Sequence, residues 1–195
     1  MRMILGVMAA ISVLPVSARA APATLPTRDV AVTYRLQGAA RESVPGGLPE
    51  MVRLSWDAGG RRLRVEPEGR QQVLLVDLNV PRAELIDKGM HGVLTLPMRA
   101  KDIEPLTLQD ATLTPRGHAV VAGLSCTDYD VVAKRGRGVV CLAADGVALR
   151  GSGTVDGRQG GFTAVSVTPG PLPAGSFDVP PGYMHLAFPG FGKSR

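Results

Sequence analysis

Apolar residues recur at every second position through most of this chain, in short runs separated by glycine-rich breaks, and that period suits a pleated strand rather than a helix. Val30, Val32, Tyr34 and Leu36 alternate with Ala31, Thr33 and Arg35, so one face of that segment is apolar and the other mixed. Val52, Leu54 and Trp56 alternate with Arg53 and Ser55, Asp57-Ala58-Gly59-Gly60 makes a turn, and Leu63 and Val65 alternate with Arg62, Arg64 and Glu66; this is the clearest hairpin in the chain. Val73 to Leu78 is a nearly continuous apolar run, as expected of a strand covered on both sides or lining something apolar. Pro81 to Lys88 fits either one or two helical turns opened by the proline, or a strand paired through Lys88-Gly89 with Gly92 to Met98. Residues 99 to 110 lack alternation and contain Pro105, which makes them the best place for a short helix or a connecting lid.

Downstream, Ala111 to Thr114, Ala119 to Leu124 and Cys126 to Ala133 read as extended segments divided by Pro115-Arg116-Gly117 and by Gly123. Gly136-Arg137-Gly138 is expected to turn the chain into Val139 to Ala143, Asp145-Gly146 into Val147 to Val155, and Asp156 to Gly161 into Phe162 to Val167. Strand, turn and strand at this spacing predict an all-β meander. The 24 Gly and 16 Pro among 195 residues are therefore punctuation; they are too many for a helical protein and follow no collagen period.

The first twenty residues stand apart. Arg2 is followed by an apolar run, Ile4 to Val16, broken only by Gly6, Ser12 and Pro15, and then by Ala18-Arg19-Ala20. The run is too short to span a bilayer, which takes about 20 residues, and the whole has the three parts of a secretory signal peptide with cleavage between Ala20 and Ala21. No cysteine lies near that point to carry a lipid. The expected organisation is a signal peptide over 1–20, a linker over 21–27, one β domain over 28–185 and a flexible tail over 186–195, whose stretch Phe188 to Arg195 limited proteolysis should remove first. The expected location is the periplasm, or the exterior where there is no outer membrane, with no membrane-spanning segment.

Cleavage would leave 20 basic and 17 acidic side chains, a net charge near +3. The arginines are dispersed, and the densest groups, Arg61-Arg62-x-Arg64 and Lys134-Arg135-x-Arg137, lie beside turn-like glycines where charge keeps a loop solvated. With aromatic residues at only 4%, there is no basic stripe interleaved with stacking groups, and no nucleic-acid partner is expected. Arginine contact with an anionic membrane surface stays open.

Cys126 and Cys141 are the only cysteines. In an exported chain they are expected to form a disulfide, closing a loop worth about 3 kcal/mol on the chain-entropy model; two free buried thiols are the alternative. A turn centred on Gly136 would set Gly146 opposite Cys126 and leave the sulfurs too far apart. Direct pairing moves the turn to Ala133-Lys134, or requires a bulge or wide loop, and the sequence does not choose. The histidines, at 91, 118 and 185, have no zinc-ligand spacing.

Catalytic patterns are missing as well. Gly151-Ser152-Gly153 lacks the strand-turn-helix setting of a nucleophile elbow, and Asp156-Gly157 follows at the wrong spacing for a dinucleotide loop. His91 and His118 read as exposed loop histidines. Asp128 and Asp130 share one strand face, where solvated edge charges are a better reading than a paired-carboxylate acid/base site. The chain is expected to be no enzyme, with no catalytic residue, metal or cofactor.

Three stretches carry a family resemblance: Val121-Ala-Gly-Leu-Ser-Cys126-Thr-Asp-Tyr129-Asp-Val, Cys141-Leu-Ala-Ala-Asp-Gly146-Val-Ala-Leu149-Arg, and Leu172-Pro-Ala-Gly-Ser-Phe177-Asp-Val-Pro180-Pro-Gly-Tyr183. With Leu75-Val-Asp77 and Leu96-Pro97-Met98, they resemble exported bacterial proteins of a domain-of-unknown-function family related to the lipoprotein carriers LolA and LolB. The resemblance covers roughly residues 28 to 185, and the Phe-x-Val-Pro-x-Gly-Tyr ending is its most specific part. It implies a mainly β fold: a strongly curved antiparallel sheet, an unclosed barrel, with short helices across its concave apolar side. In the carriers that side holds acyl chains without covalent chemistry. None of the carriers' functional residues has a matching motif here.

The candidate apolar ligand face consists of Val52, Leu54, Trp56, Leu63, Val65, Leu74 and Val76. An acyl chain placed there gains about 0.8 kcal/mol per buried CH2, and the expected partner is a lipid or a lipoprotein acyl chain. The same residues could instead fill a closed core, leaving a structural or regulatory envelope protein whose surface binds a protein partner. The scarcity of aromatics argues against a large cavity.

Overall fold

The alternating segments pair into one sheet in the computed structural model, which describes residues 21–42, 47–80, 82–98, 107–108 and 110–186. In chain order the strands are β1 (Val30–Gly38), β2 (Met51–Asp57), β3 (Arg62–Pro67), β4 (Gln72–Asp77), β5 (Arg82–Asp87), β6 (Gly92–Pro97), β7 (Thr112–Val121), β8 (Leu124–Ala133), β9 (Gly136–Leu142), β10 (Ala148–Val155), β11 (Arg158–Pro169) and β12 (Met184–Leu186). They lie side by side in the order β12-β6-β5-β4-β3-β2-β1-β11-β10-β9-β8-β7. One meander, β1 to β6, runs outward from the middle; the second, β7 to β11, starts at the opposite edge and returns to pair with β1. Every neighbouring pair is antiparallel except β12 with β6.

The fold is the expected unclosed, strongly curved sheet. In a flat sheet β7 and β11, four strands apart, would be separated by about 19 Å; here they come within 8 Å of one another. Two features of the second meander permit this bend. Three bulges each insert an unpaired residue, Val165 in β11, Leu149 in β10 and Arg116 in β7, and a bulge bends and twists the strand that carries it. Gly38, Gly160, Gly153 and Gly138 also stand directly opposite one another across β1, β11, β10 and β9, a stripe without side chains where backbones can approach.

Of the two readings open for the segment before Lys88, the strand holds over Arg82–Asp87, where β5 finds a partner on each side and seats Ile86 between Val73 and Val93. Several other local expectations need correction. Pro115-Arg116-Gly117 does not interrupt the sheet; it is the bulge of β7, and His118 is therefore an exposed strand residue, not a loop residue. Gly136 and Gly138 belong to β9, packed tightly on β10, and the turn is Lys134-Arg135, joining Ala133 to Gly136. Likewise Asp156-Gly157 alone makes the next turn; both residues have positive φ, 49° and 77°, which suits a two-residue hairpin. Among the described residues only Thr107, inside the segment expected to hold a short helix or a lid, is helical. The expected signal peptide, most of the expected lid and the tail beyond Leu186 lie outside the described residues.

One core joins the middle of the sheet to its curled end: Val30, Val32, Tyr34 and Trp56 cluster with Val121, Val147, Leu149, Ala164 and the Cys126–Cys141 disulfide. With β8 and β9 turning at Lys134-Arg135, Cys141 stands opposite Asp128, and Cys126 lies one step beyond the last ladder pair, Thr127 with Leu142. The bridge is therefore diagonal, with Cα atoms 5.4 Å apart. A second cluster, Val73, Leu75, Ile86 and Val93, lies under Val179 and Tyr183.

Electrostatics set the turn between β2 and β3. The Gly60 N–H donates to Asp57 Oδ1 at 2.9 Å, and Arg62 donates to Oδ2 through Nε and Nη2 at 2.9 and 2.7 Å. These bonds, the backbone one foremost, hold the Asp57 carboxyl below its usual pKa. A depressed folded-state pKa gives stability that is present above the unfolded value, about 3.9, and is lost as pH falls through the folded one. Asp57→Asn should therefore lower stability by about 1 kcal/mol at pH 7. The difference from the parent in urea titrations should shrink below about pH 3.

Candidate functional site

Alternation alone places side chains on opposite faces of a strand, and the register shows which of them share one. On one face, Val32 of β1 continues through Leu54, Val65, Leu74, Leu85 and Leu94 of β2 to β6. The adjacent row runs from Val30 through Trp56, Leu63, Val76 and Ala83 to Leu96. Val52 lies on the same face beside Tyr34. All seven residues of the candidate apolar set thus share one surface. It is the concave one, since its Val30, Val32, Tyr34 and Trp56 cluster with Val121, Cys126 and Cys141 from the strands that curl over.

The face is not uniform. Toward the centre of the sheet it is filled from within: Val52, Trp56 and Val76 are buried, and Leu54, Leu63 and Leu25 pack against the main core. Residues 21–29 close this end. The Trp56 Nε1–H donates to the Pro26 carbonyl at 2.8 Å, the Thr27 N–H donates to the Asp145 carbonyl at 2.8 Å, and Arg28 pairs with Asp145 at 2.7 Å. Toward β6 the packing is looser. Val65, Leu74, Leu85 and Leu94, directly paired across four strands, are all only half-buried. This row spans about 14 Å. Its flanking positions on the same face are Leu63, Val76, Ala83 and Leu96 on one side, and Pro67, Gln72, Asp87 and Gly92 on the other. Charge thus enters only at the rim, where Gln72 donates to Asp87 at 2.7 Å and helps lower the Asp87 pKa.

The opposite face of β3 to β6 is covered by the chain's own C-terminal stretch. Arg64 Nη1 donates to the Ser176 carbonyl at 2.7 Å, the Arg62 guanidinium lies 5.0 Å from the Phe177 ring centre, and Val179 and Tyr183 pack on Val73, Leu75, Ile86 and Val93. The Met184 N–H donates to the His91 carbonyl at 2.8 Å, and β12 then adds to the edge of β6. The Phe-x-Val-Pro-x-Gly-Tyr ending is therefore a strap. It explains why Val73 to Leu78 is apolar on both faces: Val73 and Leu75 meet the strap, while Leu74 and Val76 point to the concave side. Sequence reasoning missed β12, though double-sided apolarity in β4 called for a cover and Phe177, Val179 and Tyr183 were the uncommitted apolar residues nearest the end of the domain.

The other residues singled out in the sequence are engaged elsewhere in the sheet. Asp128 pairs with Arg150 at 3.0 Å and Asp130 with Arg116 at 3.2 Å, so the two carboxylates are held by separate arginines. Gly151 lies beneath the Phe162 ring, which stands edge-on to Tyr34 at 5.3 Å, and serves packing. The Tyr34 hydroxyl donates to the Ala148 carbonyl at 2.7 Å, and burial pushes its pKa well above the usual phenol range. No group of three metal-ligating side chains forms among the described residues, and no helix there is long and apolar enough to cross a membrane. A groove of about 360 Å³ on the outer side, walled by Thr33, Arg53, Glu66, Val73 and Lys88, includes only Val52 of the seven candidate residues.

No family model and no curated protein sequence matches this chain. Solved structures do. An uncharacterized conserved protein from Thermus thermophilus is 12% identical, with a TM-score of 0.52 over 82% of this chain and 90% of that one. The MucA/MucB complex of Pseudomonas aeruginosa contributes a chain 16% identical, with a TM-score of 0.47 over 75% of this chain and 53% of its own, so the present chain spans about half its length. A Vibrio parahaemolyticus domain assigned to outer membrane lipoprotein sorting is 10% identical, with a TM-score of 0.29 over 78% of this chain and 90% of that one. Of these, the Thermus thermophilus protein shares the fold at 12% identity. At such identities the likeness concerns the fold alone.

Proposed function

We propose that this chain is a non-catalytic binding protein of the cell envelope that holds an acyl chain or a comparable apolar ligand against the open part of its concave face. The observation that carries this reading is the half-buried row Val65, Leu74, Leu85 and Leu94, an uncharged apolar strip on a curved sheet whose other face is already covered by the strap. Water retreating from this strip and from a ligand's methylenes supplies the driving force, at about 25 cal/mol per Å² buried. No bond needs to be made or broken. The rim carboxylate of Asp87 favours a neutral or cationic head group at that end. The protein would reach the envelope by export, with Met1 to Ala20 removed.

Organic extraction of the purified protein, followed by mass spectrometry, should recover lipid, and the delipidated protein should bind a fluorescent apolar probe. Trp56 is the single tryptophan and sits on the same face, so its emission should shift as the probe enters. Leu85→Asp should weaken probe binding at least tenfold, because it places a carboxylate in the middle of the strip. Recovery of no lipid together with no probe binding would instead favour a self-filled face and a protein partner.

A further inference from the structure

The turns Lys134-Arg135 and Asp156-Gly157 sit side by side at one end of the curled half of the sheet, joined by the Asp156 N–H donating to the Arg135 carbonyl at 2.9 Å and by the Arg135–Asp156 ion pair. Residues 132–137 and 154–158, which form this tip, hold four basic side chains, Lys134, Arg135, Arg137 and Arg158, against one acidic, Asp156. From Ala21 onward the chain has 20 basic and 17 acidic residues, so the tip accounts for the whole excess of three and the rest is balanced. Arg135 and Arg158 are paired, with Asp156 and Glu42. Lys134 and Arg137 have no ion pair among the described residues. Within the same tip Val132 and Val155 are 60% and 46% exposed, and Val132, Arg137 and Thr154 border a shallow depression of about 370 Å³.

We propose that this tip docks on an anionic lipid bilayer. Solvation of a hairpin accounts for the charges but not for two exposed valines among them. Cations beside small apolar side chains match an interface where anionic head groups overlie hydrocarbon. The tip is separate from the concave strip, so the docking does not depend on what that strip binds. An orientation with the tip toward the membrane would keep the protein at a lipid surface without any spanning segment.

The test uses the chain from Ala21 onward, which contains every described strand, sedimented with vesicles of phosphatidylglycerol and phosphatidylcholine or of phosphatidylcholine alone. Binding is expected only to the anionic vesicles and should fade at high salt. The double variant Lys134→Gln/Arg137→Gln should lower partitioning more than tenfold, at about fivefold per charge, with thermal unfolding unchanged. A charge-matched control, Arg28→Gln/Arg116→Gln, should change it no more than about twofold. Equal losses in the two double variants would reduce the effect to net charge and overturn the assignment, as would failure to sediment with anionic vesicles at low salt. Competition by inorganic phosphate beyond that of chloride at equal ionic strength would also overturn it, by showing a phosphate pocket in place of a surface. Lipid extraction from the concave face reads none of these outcomes.

Discussion

Gly153→Val should lower the stability of this protein by about 3 kcal/mol, the upper end for an overpacked site, and its thermal midpoint by about 6–12 °C. A Cβ at Gly153 would lie 2.5 Å from the Arg137 carbonyl oxygen and 2.8 Å from the Gly138 Cα. Both are backbone atoms of the neighbouring strand β9, so no rotamer change can make room. The strands would have to separate where Gly38, Gly160, Gly153 and Gly138 let the sheet bend, and the core depends on that bend to bring Val121 and the disulfide to Val32 and Trp56. Gly117→Ala supplies the contrast. Nothing lies within 4 Å of a Cβ there and its φ is not positive, so that variant should stay within about 0.5 kcal/mol of the parent. Similar losses at both positions, measured by urea and thermal unfolding, would show that the glycine row does not set the curvature.

The same contrast explains which parts of the fold the sequence could disclose. Alternation is a local property, so β1, β2 and β3 can be read directly from Val30 to Leu36 and Val52 to Val65. A glycine, however, looks the same in a turn and in a tight strand crossing. Gly136 and Gly138 suggest a turn when taken alone and become strand residues only because β10 lies against them. Pro115 suggests a break for a related reason: it cannot donate to a ladder, but β7 is the outermost strand, and a bulge there accommodates proline and the following Arg116 within the strand.

The candidate face was legible to the extent that it depends on period two. Val52 to Val76 can be assigned to one surface from alternation and hairpin order, and the register places them together. How much of that surface is open could not be read, because filling depends on long-range contacts. Leu25 and Pro26 close over Trp56 from outside the sheet, and nothing in their own neighbourhood in the sequence announces it. The strap teaches the same lesson on the other face. Apolarity on both sides of β4 is as good a sign of a cover within the chain as of a ligand, and only Leu74 and Val76 remain available for the concave side once Val179 and Tyr183 have claimed Val73 and Leu75.

Removing the disulfide by Cys126→Ala/Cys141→Ala should cost about 3 kcal/mol, the chain-entropy value for a loop of this size, and the loss should lie in the unfolded state more than in native contacts. The two cysteines are 15 residues apart, and their loop contains the Lys134-Arg135 turn and most of β8 and β9. In the unfolded chain the bridge keeps those strands near each other; without it that freedom returns and must be given up on folding. Both cysteines are buried, Cys141 fully, so alanine also leaves small vacancies in the main core beside Leu149 and Val121. Access gives a second readout. A mild reductant should leave the bridge intact in the native protein and open it once urea exposes it, so alkylation followed by intact mass should find two modified thiols only under denaturing, reducing conditions. Alkylation of both cysteines in the native protein without reductant would show free thiols. A double variant as stable as the parent would place the coupling of β8 to β9 in the ladder from Thr127–Leu142 to Ala133–Gly136 alone.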